Sequence, residues 1–192
     1  MAIGASQQQV FQPPPLPYYT NHSFNPAPSL CIGLFMSFLD SSIISTVLFT
    51  IGEDFQALSS INWIALAYTL SNVGCAVLFT SIGDITGRKN VYIAACIIFY
   101  SFSMGCGFAQ SLNQLIAFRA LQGLGGSGLY SLAMVIFPEI SPPGMKKWIG
   151  AIAGMVVAVS GVLGPVLGGT ISHYTTWRWI FWMKCASSLT HP

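Results

Sequence analysis

Five long apolar runs, separated by short polar connections, set the pattern of this chain. They cover approximately Leu30–Ile51, Ile61–Ile82, Val91–Phe108, Leu115–Phe137 and Trp148–Ile171. An α-helix needs about 17–25 such residues to cross the hydrocarbon core of a bilayer. Inside lipid every backbone N–H and C=O must be satisfied within its own segment, so runs of this length predict helices. A sixth run opens at Trp177-Arg178-Trp179-Ile180-Phe181-Trp182 but meets Lys184 and is too short to span. The expected fold class is therefore an all-α membrane protein, a bundle of about five transmembrane helices plus a partial sixth over residues 30–183. Before it, residues 1–29 carry no side-chain charge and hold Pro13-Pro14-Pro15, Pro17, Pro26 and Pro28, the composition of a disordered tail. After it, residues 184–192 are expected to form a C-terminal tail foreign to the pattern of the membrane portion.

Composition supports this reading. Charged residues make up 6% of the chain and hydrophobic ones 53%, with a mean hydropathy of +0.65. A soluble domain has roughly 25% charged residues, enough to clothe a core of this size. A net charge of +2 with no extended basic run excludes nucleic acid as a partner. The five cysteines are scattered through apolar segments with neither metal nor redox spacing, so they read as buried small hydrophobes. No Ser/His/Asp set, metal cluster or phosphate loop is present. His22, His173 and His191 lie outside the spans, His173 as a solvated loop residue, and an enzyme is not expected.

The few charges orient the bundle. Arg88 and Lys89 lie in the 2–3 connection and Lys146 and Lys147 in the 4–5 connection, whereas the 1–2 connection has only Glu53 and Asp54. Basic residues favour the cytoplasmic side, which places those two loops and the N-terminus inside. Trp63, Trp148, Trp177, Trp179 and Trp182 fall near helix ends, as an interfacial belt requires.

Two charges fall inside apolar runs, Asp40 in the first and Arg119 in the fourth. An ionised side chain at the bilayer centre costs roughly 2.5–3.5 kcal/mol on insertion scales, so such residues are functional candidates by default. On the residues alone Asp40 is either a functional carboxylate or one satisfied by Ser and Thr hydroxyls. Arg119, one turn from Gln122, is either its electrostatic partner or a base snorkelling to the interface.

The motifs around these charges carry a family resemblance. Asp84-x-x-Gly87-Arg88-Lys89 between helices 2 and 3 resembles the signature loop of the major facilitator superfamily. Gly87 permits a tight reversal, and Asp84 can cap the next helix or pair with a neighbouring base. Arg119-x-x-Gln122-Gly123-x-Gly125-Gly126 resembles that family's fourth-helix signature. Ser160-Gly161-x-x-Gly164-Pro165-x-x-Gly168-Gly169 resembles its antiporter signature in the fifth helix. There Pro165 cannot donate to the Gly161 carbonyl, so a kink is expected. Gly161, Gly164 and Gly168, extended back through Ala158, Gly154 and Gly150, form a small-residue stripe for tight packing. Leu39-Asp40-Ser41-Ser42 and the Trp177–Trp182 run are similar to the fourteen-helix drug/proton antiporter branch.

The resemblance implies the N-terminal half of a transporter bundle. It assigns proton coupling to Asp40, Arg119 and Gln122, and a conformational latch to Asp84, Gly87, Arg88 and Lys89. The antiporter motif would comprise Gly161, Gly164, Pro165, Gly168 and Gly169. Tyr68 and Asn72, on one face of the second helix, are pocket candidates and equally good packing residues. The implied activity is proton-coupled efflux of small organic molecules (drugs, toxins or secondary metabolites) across the plasma membrane. A proton gradient would drive it in place of a cofactor, and the implied partners are a small-molecule substrate and the lipid bilayer. A missing C-terminal half, or a partner chain, would complete the site. The alternative is a truncated, non-transporting membrane protein that binds a partner.

Overall fold

A computed structural model describes residues 26–56, 60–141, 144 and 146–182, with side chains from Pro28 onward. Residues 1–25, and with them most of the Pro-rich tail, lie outside the described residues, as does the tail 184–192. Five α-helices follow in order: α1 (Pro26–Asp54), α2 (Asn62–Thr86), α3 (Arg88–Gly107), α4 (Leu112–Ile140) and α5 (Ile149–Tyr174). A short 3-10 turn, Lys146–Trp148, leads into α5. The chain is helical again from 178 to 182. All five helices are long and apolar enough to cross a membrane.

At most of their ends the helices extend a few residues past the apolar runs, and the boundaries expected from sequence are corrected accordingly. The tail expected to reach residue 29 gives way to helix at Pro26. Proline is tolerated in a first turn, where its missing N–H has no intrahelical partner to lose. His173, expected in a loop, sits in the last turn of α5, exposed and edge-on to Tyr174.

The middle of the bundle is α4, which packs against α1, α2 and α3, while α5 packs against α1. Its glycines make this possible. A Cβ on Gly123 would stand 2.6 Å from the Tyr68 carbonyl of α2, and one on Gly125 would stand 2.7 Å from the Phe99 Cα of α3. Ordinary side chains at either site would push those backbones away. Two apolar clusters fill the bundle, one around Ile43, Ile51, Leu115 and Phe181, the other around Leu34, Phe99, Leu129 and Phe137.

The tryptophans divide. Trp63, Trp148 and Trp179 are exposed, as an interfacial belt requires, but Trp177 is buried in the first cluster. Its indole N–H donates to Asp54 Oδ2 at 3.0 Å. Nearby, the Arg178 guanidinium donates to the Ala109 carbonyl at 3.2 Å. These bonds gather the 1–2 turn, the 3–4 turn and the chain after α5 at one end of the bundle. Among the described cysteines only Cys106 is fully buried; Cys31, Cys75 and Cys96 are half-buried, correcting the expectation for them.

The small-residue stripe of α5 proves narrower than its sequence suggests. Gly164 and Gly168 are buried against Ser42 and Thr46 of α1, but Gly150, Gly154, Gly161 and Gly169 face open space. The α-helix continues through Pro165. Its missing N–H frees the Gly161 carbonyl, and the Ser42 hydroxyl of α1 donates to that oxygen at 3.3 Å. Two turns further on, the hydroxyls of Thr50 and Ser172 meet at 2.9 Å. Helix 5 is thus held to helix 1 by hydroxyls set against small residues. Gly164→Leu or Gly168→Leu should destabilise the purified chain in detergent by about 1–3 kcal/mol through overpacking. Gly154→Leu, into open space, should leave it unchanged. Thermal melts in which all three variants behave alike would refute this packing.

Candidate functional site

Asp40 lies at the centre of α1, as many residues from Pro26 as from Asp54. It is fully buried, with 0% of its surface accessible, and Arg119 is 1% accessible. The two meet: Arg119 Nη1 lies 2.6 Å from Asp40 Oδ2. Because α4 starts at Leu112, Arg119 begins nearer the end of its helix than Asp40 does, and the long side chain spans the difference. The guanidinium therefore does not snorkel to an interface.

Three more side chains surround the pair. Gln122, one turn along α4, accepts from the same Arg119 Nη1 at 2.8 Å through Oε1. The Cys106 thiol of α3 donates to that oxygen at 3.7 Å. From α2, the Tyr68 ring lies beneath the guanidinium, its centroid 4.7 Å from Cζ, the geometry of a cation–π contact. The Tyr68 hydroxyl shares a hydrogen bond with Ser37 Oγ of α1 at 3.1 Å. Residues of all four central helices thus converge on one buried cation.

The glycine signature of α4 explains how Tyr68 gets there. A Cβ on Gly126 would lie 2.7 Å from the Tyr68 hydroxyl oxygen and 2.9 Å from Asn72 Nδ2. Only hydrogen at that position leaves room for both. Tyr68 and Asn72 also line a cleft of about 290 Å³ between α1, α2 and α4, with Ser37, Ser41, Thr69 and Tyr130. Both pocket candidates therefore share one cleft, and Tyr68 separates it from the ion pair.

The 2–3 connection lies apart from this centre. Gly87 alone joins α2 to α3, with φ +99° and ψ 122°, a conformation that side chains rarely adopt. Asp84 does not cap α3; it accepts from Arg88 Nη2 at 2.9 Å across the turn. Arg88 also forms an ion pair with Glu139, near the end of α4. Lys89 follows, exposed on the first turn of α3.

Glu139, Ser42 and Trp177 hold this arrangement without having been singled out for these roles in the sequence. Glu139 carried a signal: it is the acidic residue closest to the end of the fourth run, on the side where the basic loops gather. Ser42 carried a weaker one, a hydroxyl next to the intramembrane carboxylate. Of the five antiporter-motif residues, Gly164 and Gly168 pack on α1 and Gly161 gives its carbonyl to Ser42, while Pro165 and Gly169 are exposed.

Comparison with known proteins matches this architecture. Residues 30–190 match the Major Facilitator Superfamily. Over 185 residues the chain is 37% identical to the MFS-type transporter FPY5 of Fusarium mangiferae, covering 96% of this chain and 30% of that protein. It is 33% identical to multidrug resistance protein 3 of Bacillus subtilis over 81% of this chain and 30% of the relative. It is 32% identical to the MFS-type transporter olcL of Penicillium canescens, over 81% and 27% respectively. The chain thus spans less than a third of the length of these relatives. Five apolar helices joined by the Gly87 turn, and a match along nearly the whole membrane portion, lead to one conclusion: this chain is an integral membrane protein and belongs to the Major Facilitator Superfamily.

Proposed function

We propose that the chain forms the N-terminal part of a proton-coupled exporter of small organic molecules. In this reading Asp40 is the group that takes up and releases the proton. The buried Asp40–Arg119 pair beside a mid-membrane cleft carries the proposal. The multidrug name of a relative supports an exported substrate. In transporters of this kind the substrate site lies near the midplane between two related halves, so the activity belongs to a protein of the relatives' length.

The geometry suggests how a proton could do work. With Asp40 ionised the pair is neutral as a unit, and each charge compensates the other. Protonation of Asp40 removes the counter-charge and leaves the guanidinium buried among neutral groups only: the carboxyl's carbonyl oxygen, the Gln122 oxygen and the Tyr68 ring. A lone buried charge is the costly state, roughly 3–5 kcal/mol by the cost of breaking a buried pair. That cost would bias the bundle toward an arrangement in which Arg119 is better solvated.

In the full-length transporter carrying this segment, Asp40→Asn should abolish pH-driven efflux while expression and insertion persist, because the amide still offers Arg119 an acceptor. Arg119→Lys should impair efflux as well, since an ammonium cannot lay a flat plane on Tyr68. Undiminished pH-dependent efflux by Asp40→Asn would end the coupling proposal. In a double-mutant cycle of Asp40→Asn and Arg119→Gln, melting temperatures should be strongly non-additive. Simple additivity would sever the pair.

The orientation proposed is N-terminus, 2–3 turn and 4–5 connection on the cytoplasmic side, from Arg88, Lys89, Lys146 and Lys147. The membrane proposed is the plasma membrane. In a background without native cysteines, a cysteine replacing Lys146 should react with an impermeant maleimide only after cells are opened. Labelling of intact cells would invert the topology.

A further inference from the structure

We propose that the cleft between α1, α2 and α4 is a subsite for flat, uncharged molecules bearing hydrogen-bond acceptors. We propose further that Tyr68 is the residue through which its occupancy reaches the Asp40–Arg119 pair. The proposal deepens the transport reading and rests on it for its biological meaning, although binding to the cleft can be measured without transport.

The walls of the cleft set the class of ligand. Phe38 and Tyr130 meet edge to face, centroids 5.7 Å apart, on one side, and Tyr68 stands on the other. Ser37, Ser41 and Asn72 supply polar groups between them, and no charged side chain lines the space. The nearest carboxylate, Asp40, is fully buried and already paired. The volume, about 290 Å³, suits one or two fused rings, just below the usual range for whole drug-sized ligands.

The charge behind Tyr68 disfavours a cation once Asp40 is protonated. With Asp40 ionised the cluster is neutral; with Asp40 protonated it carries the full charge of Arg119. A cationic ligand would add to that charge across a single ring. The cleft itself offers donors, the Asn72 amide and the Ser37, Ser41 and Thr69 hydroxyls, with no carboxylate in its lining to hold a cation. A neutral molecule that brings acceptors matches these groups.

Tyr68 joins the two compartments. Its ring supports the guanidinium, its hydroxyl bonds Ser37, and it lines the cleft. A ligand acceptor competing for the phenol breaks the bond to Ser37 and shifts the ring on which Arg119 rests. Occupancy and ion pair are thereby linked through one side chain, a positioning role distinct from proton exchange itself.

The test uses the whole chain in lipid nanodiscs and two flat probes of similar size, neutral 7-methoxycoumarin and cationic N-methylquinolinium. The coumarin should bind saturably, with the quinolinium at least about tenfold weaker in the Asp40→Asn chain, where the Arg119 charge is uncompensated. Tyr68→Phe keeps the ring and should weaken coumarin binding about two- to tenfold, the worth of one hydrogen bond. Asp40→Asn should also change coumarin affinity, and that change should vanish in the Tyr68→Phe background. Tyr68→Leu should give the same loss of linkage, with helicity and melting measured to establish that it folds. Failure of the coumarin to bind, equal binding of the cation by the Asp40→Asn chain, or an Asp40 effect that persists in Tyr68→Phe would each overturn the proposal. Loss of pH-driven efflux in Asp40→Asn concerns the transport reading alone, so the two can fail separately.

Discussion

Everything at the centre of this bundle answers to one constraint, that a guanidinium lies buried where a bilayer offers it no water. Such a charge persists only if it is paired and its hydrogen bonds are satisfied nearby. Here a carboxylate at the midpoint of α1, an amide oxygen one turn along α4 and a phenol ring from α2 supply the pairing and part of the hydrogen bonding, with Nε left without an acceptor. Each partner comes from a different place in the chain, so the ion pair fixes the relative depth of three helices. A register slip of α4 along α1 by one turn would leave two opposite charges unpaired in an apolar core.

That convergence demands close approach, which the glycines of α4 permit. Gly123 and Gly126 admit the backbone and side chains of α2, while Gly125 and Gly128 admit α3. In lipid there is little hydrophobic drive to press helices together, so packing contacts and interhelical hydrogen bonds must hold them. The α1–α5 seam follows the same logic with different parts. Hydroxyls of Ser42, Thr46 and Thr50, each a turn apart, face Gly164, Gly168 and Ser172. The carbonyl that Pro165 leaves without a donor is taken by Ser42, so the proline carries no unsatisfied oxygen into the membrane. Meanwhile α2 and α5 leave most of their apolar residues uncovered: 11% and 17% of their most apolar stretches are buried, against 67% for α4.

Much of this was legible in the residues. The spans follow from run length, and the turn at Gly87 follows from a glycine between two helices. Asp40 and Arg119 stood out because charge is rare in such runs. What escaped the sequence is what depends on rotation about helix axes. Glycines at 150, 154 and 161 share a face with 164 and 168 on paper, yet a Cβ would meet α1 only at the latter two, because the buried face of α5 is turned toward Ala153, Ser160, Gly164 and Gly168. Trp177 reads like its neighbours as an interfacial anchor, yet the return of the chain after α5 folds it inward onto Asp54. The pairing of Arg88 with Glu139 joins the start of α3 to the end of α4, which no local spacing announces.

The single-residue link at Gly87 has a mechanical consequence. With one glycine between them, and Arg88 bonded back to Asp84 across it, α2 and α3 have no slack with which to slide past each other. A loop of several residues absorbs a shift along a helix axis; this one cannot. Relative movement of the two helices is confined to opening or closing about a point, like the arms of a pair of tweezers. Their far ends carry the displacement, and a small angular change at the Gly87 end becomes an ångström-scale change at the other.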